Sequence, residues 1–259
     1  MFLSNGVKRK KEWWETAFNK DYLTADSYFV SRARTKREIS FLLRQTEKIG
    51  LARNAKILDL ACGYGAHAIA LAKHGFRVTG IDTSGYFLKI ARKSSKKEKQ
   101  KAQFNQKDMR NLSYQERFDL IISMYTSFGY FSNERDHQKV LREVSRALKP
   151  GGAFILDVNN IARVFIQTVG RGMHDTKDND GVFVEKQLDP ATMRWFLDYS
   201  WKERGAQKRS KLSIRIFSLP ELRHLMEENG LKIKKVWGYY DGSPYQFDSR
   251  RLIILARKI

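Results

Sequence analysis

The pattern of apolar and polar positions predicts an α/β protein in which strands and helices alternate. Between residues 56 and 82, a short apolar run at 57–60 leads into a glycine turn, an alanine-rich stretch and a second apolar run that ends on Asp82. Apolar runs without polar alternation are typical of strands buried on both faces, as in a parallel sheet. Gly75 lies where a helix C-cap is expected. This stretch therefore predicts a strand, glycine turn, helix and strand in succession.

Similar units continue along the chain and predict a doubly wound sheet of seven strands. Further strands are predicted at 102–106, 118–124, 153–158, 231–237 and 252–256, and further helices at 34–49, after Thr83 or Ser84, at 134–148 and from Ser218 to Gly230. In open α/β sheets, ligands bind at the carboxyl ends of the strands. We therefore expect the chemistry at that edge.

Two regions depart from this alternation. Residues 181–217 alternate in strand fashion, which predicts three antiparallel strands inserted after strand five. Alternation puts Trp195, Tyr199 and Trp201 on one face, where they touch a substrate or pack. Near the N-terminus, Trp14, Phe18 and Tyr22 form an aromatic stripe at helical spacing within residues 12–30, which also carry Tyr28 and Phe29. The stripe either packs on the core or forms a lid over a cofactor pocket.

The predicted domains follow from these regions. We expect a helical cap at 1–50, a Rossmann-like core at 51–160 and 218–259, and an inserted antiparallel β subdomain at 161–217. A chain of 259 residues is long enough to bury a full core.

The glycine turn has features that suit a nucleotide-like cofactor. Gly63 and Gly65 let the backbone pass close to a ligand, and the helix that follows offers free N–H groups to an anion. Asp82 can accept hydrogen bonds from two ribose hydroxyls. The fingerprint for a nicotinamide cofactor needs a glycine at position 61, where this chain has Ala61. A nicotinamide cofactor is therefore disfavoured.

The turn resembles motif I of the class I, Rossmann-like, S-adenosylmethionine-dependent methyltransferases. It reads Asp59-Leu-Ala-Cys-Gly-Tyr-Gly65, with Ala61 in place of the first glycine, as in glycine N-methyltransferase-like members. The L-K-P-G-G turn at 148–152 is a second feature of that family. The resemblance implies S-adenosylmethionine as cofactor and a mostly parallel seven-stranded sheet with an antiparallel last strand.

The resemblance also implies which residues hold the cofactor. Arg34 would bind the methionine carboxylate, Tyr22 would reach the cofactor from the cap, and Asp108 would accept from the adenine amino group while Met109 packs on the ring. The full expected set is Tyr22, Arg34, Asp59, Ala61, Gly63, Gly65, Asp82, Thr83, Asp108, Met109, Ser123 and Met124.

Candidate catalytic residues lie at the ends of strands four and five. No histidine falls there, and the sulfonium methyl group is already activated, so we expect catalysis mainly by proximity, with Tyr125, Tyr130 and Asp157 orienting the substrate. Motifs for methylation of nucleic-acid bases, an Asn- or Asp-Pro-Pro-aromatic sequence or a Pro-Cys pair, are absent from this part of the chain. No metal site is predicted, because the acid that would partner Asp157 after strand four is missing.

The net charge leaves the acceptor open. Forty-nine Lys and Arg against 28 Asp and Glu give +21, which attracts polyanions such as RNA but also occurs on lysine-rich surfaces without such a partner. The basic run at 92–101 has no interleaved aromatic residue for base stacking. We expect transfer to N or O of a small molecule; the alternatives are an RNA or ribosome methyltransferase and a cofactor-binding protein without catalysis.

Cysteine content and hydropathy suggest the compartment. Cys62 is the single cysteine, which rules out an intramolecular disulfide and favours a reducing compartment. In residues 1–11 the basic residues follow a very short apolar start, which is the reverse of the order in a signal peptide. No apolar stretch is long enough to cross a membrane. We expect a cytoplasmic protein without a membrane partner; its oligomeric state cannot be predicted.

Overall fold

The computed structural model describes residues 12–22, 32–168, 182–203 and 205–259. The predicted aromatic positions Tyr28 and Phe29, and parts of the predicted cap and insertion, lie outside the described residues. The helices are α1 (Trp14–Ala17), α2 (Arg32–Lys48), α3 (Ala66–Lys73), α4 (Gly85–Lys97), α5 (Glu134–Ala147), α6 (Ile161–Thr168) and α7 (Leu219–Glu228), with a 3-10 turn at Ser127–Gly129. The strands are β1 (Lys56–Leu60), β2 (Arg77–Asp82), β3 (Gln103–Gln106), β4 (Phe118–Ser123), β5 (Leu148–Asn159), β6 (Phe183–Asp189), β7 (Arg194–Glu203), β8 (Ala206–Arg215), β9 (Leu231–Trp237) and β10 (Arg251–Lys258).

The main sheet has seven strands in the order β3-β2-β1-β4-β5-β10-β9. Only β10 runs against its neighbours: it pairs antiparallel with both β5 and β9. Apolar residues on both faces of the sheet are buried against the helices, forming two core clusters. The predicted fold class is therefore confirmed, including the antiparallel last strand.

The second sheet has three antiparallel strands, β6-β7-β8, in the region predicted as an insertion. Its buried face includes Trp195, Leu197 and Trp201, and the partly buried Tyr199 packs against the same cluster. Tyr22 and Tyr130 also pack against that cluster, so this small sheet adjoins the cap and the carboxyl edge of the main sheet.

Helix α6 was not predicted: residues 161–217 were assigned to an inserted β subdomain, with strands expected only within 181–217. Its eight residues bury Ala162 and Val164, and the Asn160 side chain accepts from the Ala162 N–H at 3.2 Å at the start of the helix. Strand β5 also begins earlier than expected, because Leu148 pairs with Phe118 before the glycine turn.

The residues of the N-terminal aromatic stripe differ in their surroundings. Trp14 is buried in the main core and meets Phe131 edge to face, with ring centroids 5.9 Å apart. Phe18 stacks on Tyr130 and also contacts Tyr22.

In the described part of the chain, no helix has the length and apolar character needed to cross a membrane.

Candidate functional site

The glycine turn after β1 is held in left-handed backbone conformations. Gly63 has φ +53° and Gly65 φ +82°. A Cβ on Gly65 would lie 2.9 Å from Ala91 and from the Phe104 ring, so this glycine permits close packing of the turn before α3 against α4 and β3. At Gly63 the nearest atom would be 4.0 Å away, which leaves open space beside the backbone.

Asp82 connects the end of β2 to this turn. Its Oδ2 accepts from the Gly63 N–H at 2.9 Å, and its Oδ1 accepts from the Ser84 N–H at 2.8 Å. Burial raises the pKa of Asp82, and the backbone donors oppose that shift. The carboxylate is therefore fixed in orientation at the wall of the site.

Three neighbouring cavities lie at the carboxyl edge of the main sheet. The turn cavity, about 120 Å³, is lined by Phe18, Tyr22, Arg34, Thr35, Glu38, Asp59, Ala61, Cys62, Gly63, Tyr64, Ala66, His67, Asp82, Phe87, Met124, Tyr125, Ser127 and Tyr130. The side cavity, about 40 Å³, is lined by Trp14, Phe18, Ala61, Asp82, Thr83, Lys107, Asp108, Met109, Ser127, Tyr130 and Phe131. The roof cavity, about 320 Å³, is lined by Tyr22, Arg34, Tyr125, Thr126, Tyr130, Asn159, Gln167, Trp195, Leu197, Tyr199, Leu212, Ile214, Tyr239, Tyr240 and Arg251.

These cavities share walls. Phe18, Ala61, Asp82, Ser127 and Tyr130 line both the turn and the side cavity. Tyr22, Arg34, Tyr125 and Tyr130 line both the turn and the roof cavity. The turn cavity therefore adjoins both of the others.

Three ionisable side chains that contact one another in series line the turn cavity. Arg34 Nε lies 2.8 Å from Glu38 Oε1, and His67 Nε2 lies 2.9 Å from Glu38 Oε2. Burial would raise the pKa of Glu38, but its contacts with His67 and Arg34 outweigh burial and lower it. Likewise, Glu38 and Asp59 raise the pKa of His67 against the effect of burial. Glu38 stands one helical turn after Arg34, a spacing that could have identified it from the sequence.

Asp59 brings an unsatisfied carboxylate oxygen to the same cavity. The side chain is 1% exposed, and its Oδ2 has no hydrogen-bond partner among the described residues. Burial raises the pKa of Asp59 to about 7. A buried acceptor without a donor has a free-energy cost that a cationic or N–H ligand would remove.

Three of the residues predicted to bind the cofactor, Thr83, Asp108 and Met109, line the side cavity. Arg110 holds the Asp108 carboxylate through Nη2 at 2.6 Å and Nε at 3.0 Å, and its Nη1 also reaches Asp136 at 2.7 Å. This clamp, which was not predicted, fixes the Asp108 carboxylate.

Tyr125 and Tyr130 lie where the turn and roof cavities meet. Tyr125 has φ +64° and Thr126 φ +66°, an uncommon conformation for two successive non-glycine residues. The Tyr125 N–H donates to Asp157 Oδ2 at 2.9 Å, which helps to hold this turn. The Arg34 guanidinium carbon lies 3.7 Å from the centroid of the Tyr125 ring.

Asp157 itself does not line any of the three cavities. It is fully buried, accepting at Oδ2 from the Tyr240 hydroxyl at 2.7 Å and at Oδ1 from Arg251 Nε at 2.7 Å. This placement disagrees with the predicted contact between Asp157 and substrate. With its oxygens occupied by protein donors, Asp157 is a positioning residue for Tyr125 and Arg251.

Ser123 is likewise buried and lines none of the cavities, whereas its neighbour Met124 lines the turn cavity. Phe87 and Ser127 also line the turn cavity and were not predicted. Their positions depend on packing between distant segments, for which the sequence has no local signal.

The roof cavity lies between the small sheet and the main sheet. Trp195, Leu197, Tyr199, Leu212 and Ile214 contribute from β7 and β8. Trp201 was expected on the same face, either touching a substrate or packing; it is buried in the packing of the small sheet and does not line the cavity. Within the described residues, no acidic side chain lines it.

Comparisons with known proteins agree with this geometry. Residues 57–152 match the family described as a methyltransferase domain. The chain is 36% identical over 130 residues to the glycine/sarcosine N-methyltransferase of Halorhodospira halochloris, covering 49% of this chain and 47% of that protein. It is 27% identical over 206 residues to the cypemycin N-terminal methyltransferase of a Streptomyces species, covering 78% of this chain and 82% of that protein. A crystal structure of an S-adenosylmethionine-dependent methyltransferase from Clostridium acetobutylicum superposes with a TM-score of 0.76 at 24% identity, covering 92% of this chain and 95% of that one.

Residues 57–152 therefore form a methyltransferase domain, and the chain has the fold of the S-adenosylmethionine-dependent methyltransferases. The predictions of this family and of its cofactor are confirmed by the domain match together with the fold. The chain spans about half the length of several curated relatives that it matches, between 47% and 49% of each.

The residues of this methyltransferase fit the cofactor on structural grounds. The open space at Gly63 leaves room for a ligand against the backbone, and the orphan Asp59 oxygen can accept from the ammonium of the methionine moiety. Asp82 lies at the junction of the turn and side cavities, where a ribose would connect the methionine and adenine moieties.

Among the described residues of the methyltransferase, no group of three or more acidic, histidine or cysteine side chains is arranged to hold a metal ion.

Proposed function

We propose that this methyltransferase transfers a methyl group from S-adenosylmethionine to a nitrogen or oxygen of a small molecule bound in the roof cavity. The observation that carries the proposal is the shared wall: Tyr22, Arg34, Tyr125 and Tyr130 border both the cofactor side and the roof cavity. A cavity of about 320 Å³ falls in the size range of small-molecule sites, roughly 300–1,000 Å³.

The residues around the turn cavity have binding and orienting roles in this proposal. Arg34 would hold the methionine carboxylate, Asp59 its ammonium, and Asp82 the ribose hydroxyls. The cofactor supplies a methyl group already activated on a sulfonium. The protein therefore contributes orientation and exclusion of water, which the aromatic wall of Phe18, Tyr22 and Tyr130 provides.

The composition of the roof cavity favours an acceptor that arrives without a positive charge. Its described wall has Arg34 and Arg251 and no carboxylate to stabilise an ammonium group. An amine would therefore bind in its neutral, nucleophilic form, which needs no strong base in the wall. The two similar proteins named above are called N-methyltransferases or N-terminal methyltransferases, which supports nitrogen over oxygen.

The test is a search for the acceptor with S-adenosylmethionine labelled in its methyl group. The purified chain is incubated with a panel of small amines and alcohols and, separately, with total RNA. We expect label in one or a few small amines and none in RNA. Asp82→Asn should lose cofactor binding and transfer, whereas Asp119→Asn, at the opposite end of the sheet, should retain both. Tight cofactor binding without transfer to any acceptor would favour the non-catalytic alternative, and label in RNA would favour an RNA methyltransferase.

A further inference from the structure

Four cations stand in a row at the edge of the main sheet opposite the cofactor site. Lys56 and Arg77 begin β1 and β2 and pair with each other in register. Lys101 stands two residues before Gln103, which pairs with Thr79, two residues after Arg77. Arg117 stands three residues before Leu120, which pairs with Ile57 on the other side of β1. The row therefore runs Lys101, Arg77, Lys56, Arg117 across four adjacent strands, about 14 Å of backbone at the usual strand spacing.

These cations line one groove. The groove, about 650 Å³, is bordered by all four members of the row and by Lys99, with Gln100 and Gln103 beside them. All five cationic residues are exposed, and no acidic side chain lines the groove within the described ranges. Asp119 accepts from the Lys56 backbone N–H at 2.7 Å, but its ion pair is with Lys149, so the positive charge of the groove is only partly offset.

Two other cations, Lys149 and Lys258, form ion pairs, unlike those of the row. Lys149 pairs with Asp119 at 2.6 Å, and Lys258 pairs with Glu116 at 3.4 Å. No carboxylate of the described residues lies within ion-pair distance of the five groove cations. Like charges held close together repel one another and destabilise the fold, and a bound polyanion would offset that cost.

We propose that this basic groove binds the phosphodiester backbone of single-stranded RNA as a docking surface, separate from the site of methyl transfer. A regular series of anions matches a regular row of cations, and the two glutamine side chains can donate to phosphate or sugar oxygens. The exposed large apolar side chains of the described chain, including Phe196 and Phe247, do not line the groove, so it has no apolar anchor for a membrane surface.

The position of the groove separates docking from chemistry. The row is at the amino ends of the parallel strands, and the glycine turn follows the carboxyl end of β1, five residues and about 16 Å away. RNA in the groove is therefore a partner that localises the enzyme, and the small-molecule acceptor of the roof cavity is unaffected. The proposal does not depend on the proposed acceptor.

The test measures binding of a fluorescein-labelled 15-nucleotide oligouridine by anisotropy between 50 and 300 mM salt. With three or four phosphates contacted, log affinity should fall against log salt with a slope of about −2 to −3. The groove variant Arg77→Gln/Lys101→Gln/Arg117→Gln should bind at least tenfold more weakly and show a shallower slope. The matched control Arg223→Gln/Lys232→Gln/Lys234→Gln removes three exposed charges from α7 and β9 and should change affinity less than twofold.

Several results would overturn the proposal. An equal loss in both triple variants would show that overall charge, not the groove, attracts RNA. Absence of measurable binding by the wild type, or stronger binding to phosphatidylserine vesicles or to polyglutamate than to oligouridine, would also exclude it. If the triple variant does not fold, the single exposed-site variants Lys99→Gln and Lys101→Gln should each weaken binding about two- to threefold; no change in either contradicts the proposal as well.

Discussion

The guanidinium carbon of Arg34 lies 3.7 Å from the centroid of the Tyr125 ring, which joins α2 to the turn after β4. Glu38 holds the same guanidinium from its own helix at 2.8 Å. Arg34 is therefore fixed between an aromatic face and a carboxylate at the boundary of the turn and roof cavities. A planar cation suits this position better than an ammonium group.

Replacing Arg34 by lysine should weaken cofactor binding about tenfold, which corresponds to ~1.4 kcal/mol. The charge is kept, but the stacked, planar donor set is lost. Titration calorimetry with S-adenosylmethionine measures the change. Arg37→Lys, an exposed change on the same helix, is the control, and equal affinities for Arg34→Lys and wild type would remove Arg34 from the cofactor site.

Removing the charge of Asp157 should affect stability more than turnover. Asp157→Asn leaves Arg251 buried without its ion-pair partner, a change that costs about 3–5 kcal/mol of unfolding free energy. Urea denaturation measures it. Asp119→Asn breaks a partly exposed pair with Lys149 and should cost at most about 1 kcal/mol. A stable Asp157→Asn protein whose kcat alone collapses would restore the predicted catalytic role.

Cofactor affinity should increase as the pH rises from 6 to 8. Burial raises the pKa of Asp59 to about 7, so the carboxylate becomes charged, and attractive to an ammonium group, within this range. The Asp59→Asn variant should bind more weakly and should lose most of this dependence, with calorimetry at several pH values as the measurement.

The same pKa predicts the stability of the ligand-free protein. An unfolded Asp ionises near 3.8, so between pH 4 and 7 the folded state binds the additional proton. The contribution of Asp59 to stability therefore falls as the pH rises through that window. In the binding experiment, a cofactor affinity that stays constant from pH 6 to 8 in the wild type would contradict the proposed contact between Asp59 and the ammonium group.

His137 should make the fold sensitive to acid. The ring is fully buried beside Phe128, Phe131 and Phe217, and burial, with the charges of Arg194 and Arg215, lowers its pKa to about 3. An unfolded imidazole takes up a proton below about pH 6.5, so stability is lost as the pH falls from 6.5 towards 3. His137→Phe should reduce this loss, seen as a smaller drop in Tm between pH 6.5 and 4.5. The exposed His224→Phe should leave the pH profile unchanged, and identical profiles for His137→Phe and wild type would count against the depressed pKa.

Truncating Tyr199 should weaken acceptor binding selectively. Tyr199→Ala enlarges the roof cavity, so the KM for the acceptor found in the labelling screen should rise about tenfold, while cofactor affinity stays within twofold. The control is Tyr86→Ala, which changes a tyrosine outside the three cavities. Loss of cofactor affinity in Tyr199→Ala would show that the two cavities are not functionally distinct.

The sheet and the glycine turn could be predicted because their signals are local. Unbroken apolar runs identify the parallel strands, and Gly63, Gly65 and Asp82 occur at spacings set by one strand-turn-helix-strand unit. Helix α6 was missed because its eight residues are short for a periodic pattern and adjoin a region of clear strand alternation.

The buried ion network could not be predicted, because its members are far apart in the chain. Arg251 meets Asp157 across 94 residues, and Tyr240 meets it across 83. A single sequence identifies Asp157 only as an acid at a strand end, which is also where catalytic acids stand. In the structure, Asp157 pairs with the buried Arg251, so it positions neighbouring residues of the site and does not contact the cavities.

The common wall of the turn and roof cavities has a thermodynamic consequence. Any shift of Tyr22, Arg34, Tyr125 or Tyr130 that one ligand induces alters the space open to the other. Linkage requires that such coupling be reciprocal: whatever factor the cofactor adds to acceptor affinity, the acceptor adds to cofactor affinity. The demethylated cofactor and the methylated acceptor obey the same reciprocity with a factor of their own: where that factor favours joint binding, release of one hastens release of the other.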